Sequence, residues 1–231
     1  MCIRDSNDEF MESVDLSKDI PSECARKLLD DEVDLGLIPV AVIPQLKESH
    51  IISDYCIGAE GEVHTVLLLS EVALPEIESI YLDYQSRTSV ALCKILCKER
   101  WNIEPKFIAS EPGFENKIEG KTAGLIIGDR TFHLEKEFKL QFDLSEEWKK
   151  LTGLPFVFAA WVANKSLDEN FIQLFNQSLK NGIEQLDQSV QASTQKIIST
   201  DRLKEYLTKY IQFDLNAEKR KGMELFLSKL K

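Results

Sequence analysis

Val33-Asp34-Leu35-Gly36-Leu37-Ile38 is a short apolar run ended by Pro39, and it follows at once on a helical stretch from Pro21 to Glu32. Helix, short loop and buried strand in that order mark an α/β protein. Beyond it lie two extended stretches, Ile51 to Ile57 and Val63 to Leu69, separated by Gly58-Ala59-Glu60-Gly61. The second is so rich in Val and Leu that it suits a strand covered on both faces, not an exposed edge. A strand at Ile77 to Leu82 leads into a helix over Val90 to Arg100, and further strands are expected at Lys106 to Ala109, Ala123 to Ile127 and Leu154 to Ala163. Asp143 to Lys150 reads as a short helix, with Asp143 and Glu146 at capping-box spacing and Gly153 as its stop.

The last third reads as helix throughout. Ser166-Leu167-Asp168-Glu169 has capping-box form, and Phe171, Phe175, Leu179, Ile183, Leu186 and Val190 recur at helical spacing. Leu203 to Ile211 and Met223 to Leu230 mark two more helices. The plan suits two α/β lobes around a cleft. Residues 1–83 and 156–231 form lobe 1, residues 84–155 form lobe 2, and the Phe156–Ala163 strand crosses back. Ligands of open α/β sheets sit beyond the carboxyl ends of strands. Three loops therefore compete for the cleft: Ile38-Pro39, Gln85 to Ser89, and Gly128-Asp129.

With 231 residues the chain can bury a full core. Its 43% hydrophobic and 29% charged residues place it among ordinary globular proteins, and no apolar run approaches the length of a membrane span. No membrane partner is expected. Met1 to Glu9 lacks the apolar core of a secretory signal, so the expected compartment is the cytoplasm. Cys2, Cys24, Cys56, Cys93 and Cys97 form an odd, scattered set, a poor disulfide framework that fits a reducing compartment. Cys93 and Cys97 sit one helical turn apart, yet no Cys/His pair stands at zinc-site spacing, and neither metal nor cofactor is expected. A net charge of −11 argues against a nucleic-acid binder, and any anion site must be built locally.

One such place is Asp83-Tyr84-Gln85-Ser86-Arg87-Thr88-Ser89, where a strand gives way to a helix. A helix N-terminus offers unpaired N–H groups to an anion. The hydroxyls of Ser86, Thr88 and Ser89 and the guanidinium of Arg87 frame it, which points to a docked carboxylate or phosphate. A plainer reading competes. Ser and Thr are also everyday N-caps, and Arg87 falls on the helical stripe of Lys94 and Lys98, a solvated face.

The segments GLIPVAVIP (36–44), SDYCIGAEGEVHTVLLLS (53–70), LDYQSRTSVAL (82–92), AGLIIGDRTF (123–132) and EEWKKLTGLPFVFAAW (146–161) carry a family likeness. Together they closely resemble the chorismate dehydratases of the futalosine route to menaquinone, from about Leu16 to the C-terminus. The resemblance implies a fold like the type 2 periplasmic solute-binding proteins, in agreement with two lobes. It also implies a lyase that removes water from chorismate, its small-molecule partner, and leaves 3-[(1-carboxyvinyl)oxy]benzoate. On the same resemblance Ser86 to Ser89 correspond to the carboxylate-binding loop. Thr65, after Gly61 and Val63, stands where the family pattern Gly-x-Val-x-Ser places a hydroxyl in the cleft. Family members begin with a strand and a Ser-Tyr-Leu-Asn-type loop. None precedes Leu16, so the sequence is expected to begin inside a longer protein, with one strand of the first sheet missing. Two alternatives stay open: a non-catalytic binding protein for a small carboxylate, and the paralogous 1,4-dihydroxy-6-naphthoate synthase.

For that chemistry, Thr65 is the expected catalytic residue, and Arg87 with Ser86, Thr88 and Ser89 is expected to grip a carboxylate. The histidines are His50, His64 and His133; His64 adjoins Thr65, and strand alternation sends the two to opposite faces. Asp129 is a candidate acid or base, although Gly-Asp after a strand is also a common turn. The substrate's own enolpyruvyl carboxylate is the third candidate base. Ile38, Pro39, Tyr55, Phe156 and Phe158 are candidate apolar walls, each equally suited to the core.

Overall fold

A computed structural model describes residues 14–134, 137–194 and 197–230. Met1 to Glu9 and Cys2, singled out in the sequence, lie outside the described residues. Nine strands form two sheets among them. The first holds β1 (Leu35–Pro39), β2 (His50–Ala59), β8 (Phe156–Ala163) and β9 (Gln212–Asp214) in the order β1-β8-β2-β9, every pair antiparallel. The second holds β3 (Val66–Ser70), β4 (Ser79–Leu82), β5 (Lys106–Ala109), β6 (Thr122–Ile127) and β7 (Leu140–Asp143) in the order β5-β4-β6-β3-β7. There β4 runs parallel to β5 and β6, while β3 is antiparallel to β6 and β7. All five residues of β3 are buried, as its unbroken apolar run implied.

Two expectations are corrected, and one strand went unseen. Strands β3 and β4 pair into the second sheet, so the chain crosses between sheets after Ala59, not at residue 83. The C-terminal third is not wholly helical, since β9 pairs with β2. β7 had no sequence signal, because a four-residue edge strand is too short to show its period.

Among the described residues the helices are α1 (Pro21–Leu29), α2 (Thr88–Glu99), α3 (Thr131–Leu134), α4 (Leu144–Thr152), α5 (Glu169–Glu184), α6 (Leu186–Gln191), α7 (Thr200–Glu205) and α8 (Ala217–Ser228). Pro21 opens α1, where its missing N–H costs nothing. Asp143 caps α4 by accepting from the N–H groups of Ser145 and Glu146, and Gly153 ends it in the left-handed region at φ 76°. In α5 the cap is Asp168, two residues after the expected Ser166. One apolar core joins both sheets. At its centre Trp148 of α4, Phe156 of β8 and Phe226 of α8 meet edge to face, with ring centroids 5.1 to 6.0 Å apart. Gly222 lets α8 approach this cluster, because a Cβ there would lie 2.2 Å from the Pro155 carbonyl oxygen. Among the described residues no helix is long and apolar enough to cross a membrane.

Candidate active site

A cleft of about 1220 Å³ opens at the sheet junction, and Pro39, Thr65, Ser86, Thr88, Ser89 and Phe158 line it. Two separate loops of the sequence thus converge on one space.

Asp143 sets the position of Thr65. One oxygen of its buried carboxylate caps α4, and the other accepts from the N–H groups of Val63 and His64, both at 2.7 Å. Burial pushes this carboxyl above its ordinary value, against the pull of four backbone N–H groups. His64 takes φ 61°, a left-handed turn that costs a non-glycine residue energy and that the Asp143 hydrogen bonds hold in place. Thr65 then turns inward, only 5% exposed, its carbonyl accepting from Gly128 N–H at 2.8 Å. His64 is therefore kept from the cleft by a turn rather than by strand alternation, since β3 begins only at Val66. Its ring packs on Tyr210, with centroids 4.2 Å apart.

The Thr65 hydroxyl lies 2.8 Å from the Tyr206 hydroxyl. Tyr206 also lines the cleft, and burial raises its phenol to about 12, partly countered by the Thr65 hydrogen bond. In the sequence Tyr206 was legible only as an apolar position on a helix.

At the other loop, Asp83 is the anchor. Its side chain is fully buried; one oxygen accepts from Gln85 N–H at 2.9 Å, the other from Ile127 N–H at 2.9 Å and from Arg130. Arg130 also pairs with Glu115 at 2.7 Å and stands over the Tyr84 ring. Burial works against its charge, but the Asp83 and Glu115 hydrogen bonds raise its affinity for the proton overall. Both loops that border the cleft here, 84–89 and 128–130, are thus tied to one carboxylate.

The hydroxyl cluster is partly occupied by the protein itself. Ser86 Oγ accepts from Ser89 N–H at 3.0 Å, a cap of α2, and Thr88 Oγ1 accepts from Ala41 N–H at 3.2 Å. Among the described residues the N–H groups of Arg87 and Thr88 have no hydrogen-bond partner, so the helix end still offers donors. Arg87 does not join them through its side chain. It is exposed, outside the cleft lining, at the N-cap position on the solvent side of α2.

Other expected site residues fall elsewhere. Ile38 is fully buried, because alternation along β1 turns it into the core while Leu37 and Pro39 border the cleft. Phe156 is fully buried behind Phe158, at a centroid distance of 4.8 Å. Tyr55 is half-buried on β2 and Asp129 is exposed; neither lines the cleft. None of the three histidines lines it, and His50 pairs with Glu48 at 2.6 Å. Lys27 and Lys165 do border it, but they pair with Asp19 at 2.7 Å and Asp34 at 2.6 Å. Among the described residues no group of three or more His, Cys, Asp and Glu is placed to hold a metal ion.

A family model described as menaquinone biosynthesis matches residues 3–231. A chorismate dehydratase from Thermus thermophilus is 27% identical over 232 residues, spanning 91% of this chain and 84% of that protein. The crystal structure of protein AF1704 from Archaeoglobus fulgidus superposes with a TM-score of 0.68 at 16% identity, covering 96% of this chain and 88% of that one. The periplasmic aliphatic sulphonate binding protein SsuA from Escherichia coli superposes with a TM-score of 0.51 at 14% identity, covering 90% and 74%. These likenesses establish a fold of the solute-binding-protein kind.

Proposed function

The chain belongs to the menaquinone-biosynthesis family, and from that premise we propose that it is a carbon–oxygen lyase converting chorismate to 3-[(1-carboxyvinyl)oxy]benzoate. The observation that carries this reading is the convergence of Thr65 and the N-terminal loop of α2 on one cleft. The 27% identical chorismate dehydratase supports the choice of substrate.

Chorismate has two carboxylates, a ring hydroxyl and an enolpyruvyl ether on a cyclohexadiene. The proton to be lost sits on the ring carbon that bears the ether, conjugated through a double bond to the ring carboxylate. Removing it sends charge onto that carboxylate, the bond from the adjacent ring carbon to its hydroxyl then breaks, and the proton just abstracted is passed to that hydroxyl, which leaves as water. The ring becomes aromatic, so the overall step is downhill. The free N–H groups of Arg87 and Thr88 and the hydroxyls of Ser86, Thr88 and Ser89 bind the ring carboxylate. They stabilise the charge as it builds. Each charge-assisted hydrogen bond contributes about 1.5–3 kcal/mol, and the helix end adds about 0.3–1 kcal/mol. With no histidine in the lining, the enolpyruvyl carboxylate takes the ring proton once Thr65 and its neighbours position it.

The experiment is direct. Purified protein is mixed with chorismate, and aromatic product is followed by absorbance and identified by mass. Formation of 3-[(1-carboxyvinyl)oxy]benzoate is expected. Tight binding without conversion would instead mark a carboxylate-binding protein, and turnover only of the larger substrate of the paralogous naphthoate synthase would move the assignment there.

A further inference from the structure

Tyr206 has the geometry of a working part of the site, and nothing in the chemistry above uses it. We infer that Tyr206 is a positioning residue for the reaction proposed above: it donates its hydrogen bond to Thr65 and so leaves the Thr65 proton pointing into the cleft. The inference rests on that reading of the reaction.

The direction of the hydrogen bond follows from the partners each oxygen has. The two hydroxyls are 2.8 Å apart, and either could donate. Tyr206 has no other partner for its hydroxyl among the described residues, whereas Thr65 Oγ1 has a second contact, the Val63 carbonyl at 3.5 Å. A phenol is a far stronger donor than an alcohol, so the short bond runs from Tyr206 to Thr65. The remaining Thr65 proton then faces only a carbonyl at the outer limit of hydrogen-bond range. A substrate oxygen in the cleft offers it a better acceptor. Because one hydroxyl polarises the next, the Thr65 proton becomes a stronger donor than an isolated threonine would supply.

The phenol stays protonated through the neutral range, since burial, aided by Asp129 and Asp143, pushes it up to about 12. It is thus a permanent donor and not a base. The local backbone supports the placement. Tyr206 begins a π-helical turn, Tyr206–Tyr210, closed by Ile211 N–H donating to the Tyr206 carbonyl at 3.1 Å. Such wide turns are rare and frequently occur at functional sites. The Tyr206 ring also meets Phe132 of α3 edge to face, with centroids 5.6 Å apart. Its hydroxyl is therefore held from two sides, by Phe132 packing and by the turn.

The test is a double-mutant cycle on chorismate turnover with Tyr206→Phe, Thr65→Val and the pair together. Tyr206→Phe is expected to lower kcat about tenfold with KM within about twofold, and the pair to be no slower than Thr65→Val alone, the mark of two groups acting as one. Thr65→Ser, which keeps the hydroxyl, is expected to retain the sensitivity to Tyr206→Phe. Melting temperatures of all variants provide a second readout: a structural role alone would move stability and leave the fold-losses in kcat multiplying, as for independent sites. Full activity of Tyr206→Phe, or multiplying effects in the pair, would overturn the inference while leaving the lyase reading intact. A wild-type protein that neither binds nor converts chorismate would overturn both.

Discussion

Asp83 and Ile127 are joined by a hydrogen bond of 2.9 Å from the Ile127 N–H to a carboxylate oxygen, across the carboxyl ends of β4 and β6. The same carboxylate holds Gln85 and Arg130, so the loop before α2 and the loop after β6 cannot move independently.

Removing that carboxylate should therefore damage both stability and binding. Asp83→Ala leaves the partly buried Arg130 with Glu115 alone and strands two N–H groups. Losing one side of such a buried pair costs about 3–5 kcal/mol. Urea unfolding should show a loss of that order, and KM for chorismate should rise. A stability within about 0.5 kcal/mol of wild type would contradict the role given to Asp83.

Arg87 and Ser86 should separate in their effects. Arg87→Ala removes an exposed side chain outside the cleft lining and should change kcat/KM by less than about threefold. Ser86→Ala removes the cap on Ser89 and a hydroxyl that lines the cleft. The lost cap should lower folding stability by about 1 kcal/mol, and the lost contact to a bound carboxylate, about 1.5–3 kcal/mol, should lower kcat/KM at least about tenfold. Steady-state kinetics of the two variants side by side would check the order.

The contrast shows what the sequence could and could not disclose. The apolar runs at Leu35 and Val66 and the Asp143–Gly153 helix were legible because period, cap and stop residue agreed locally. The grouping of strands was not, since β3 and β4 pair with strands far along the chain and no local pattern encodes a partner. Thr65 was singled out through the family resemblance and Ser86, Thr88 and Ser89 through residue type, and all four line the cleft. Asp83 was passed over although it stood first in the quoted loop, because nothing in one sequence distinguishes a buried aspartate from a turn. Tyr206 was hidden for a related reason: its role depends on a hydroxyl 141 residues away.

Acid should weaken the fold partly through Glu147. Its nearly buried carboxylate accepts from Trp101 Nε1 at 3.0 Å and from Lys150 Nζ at 2.9 Å. Burial alone would raise its pKa, but Lys150, Trp101 and Arg100 together hold it below the ordinary value of 4.5. A carboxyl depressed in the folded state stabilises it above the unfolded pKa, and that contribution is lost as pH falls through the folded value. Wild-type urea midpoints should thus drop below about pH 4.5 more steeply than those of Glu147→Gln. Parallel curves for the two proteins would show that this carboxyl is not involved.

Phe156 and Phe158 stand two residues apart on β8, and their substitution should divide cleanly between folding and binding. Phe156 is fully buried against Trp148 and Phe226, and it also backs Phe158. Its truncation to alanine opens a cavity in the shared core, a loss of about 3–5 kcal/mol. Phe158 lines the cleft and is only partly buried, so less of its apolar surface is at stake in folding. Phe158→Ala should cost about 1–2 kcal/mol of stability and act chiefly through a higher KM, as the ring wall of the substrate recedes. Urea unfolding and steady-state kinetics on the same two preparations decide the matter. A Phe156→Ala protein that is stable but binds poorly would place that ring in the cleft wall after all.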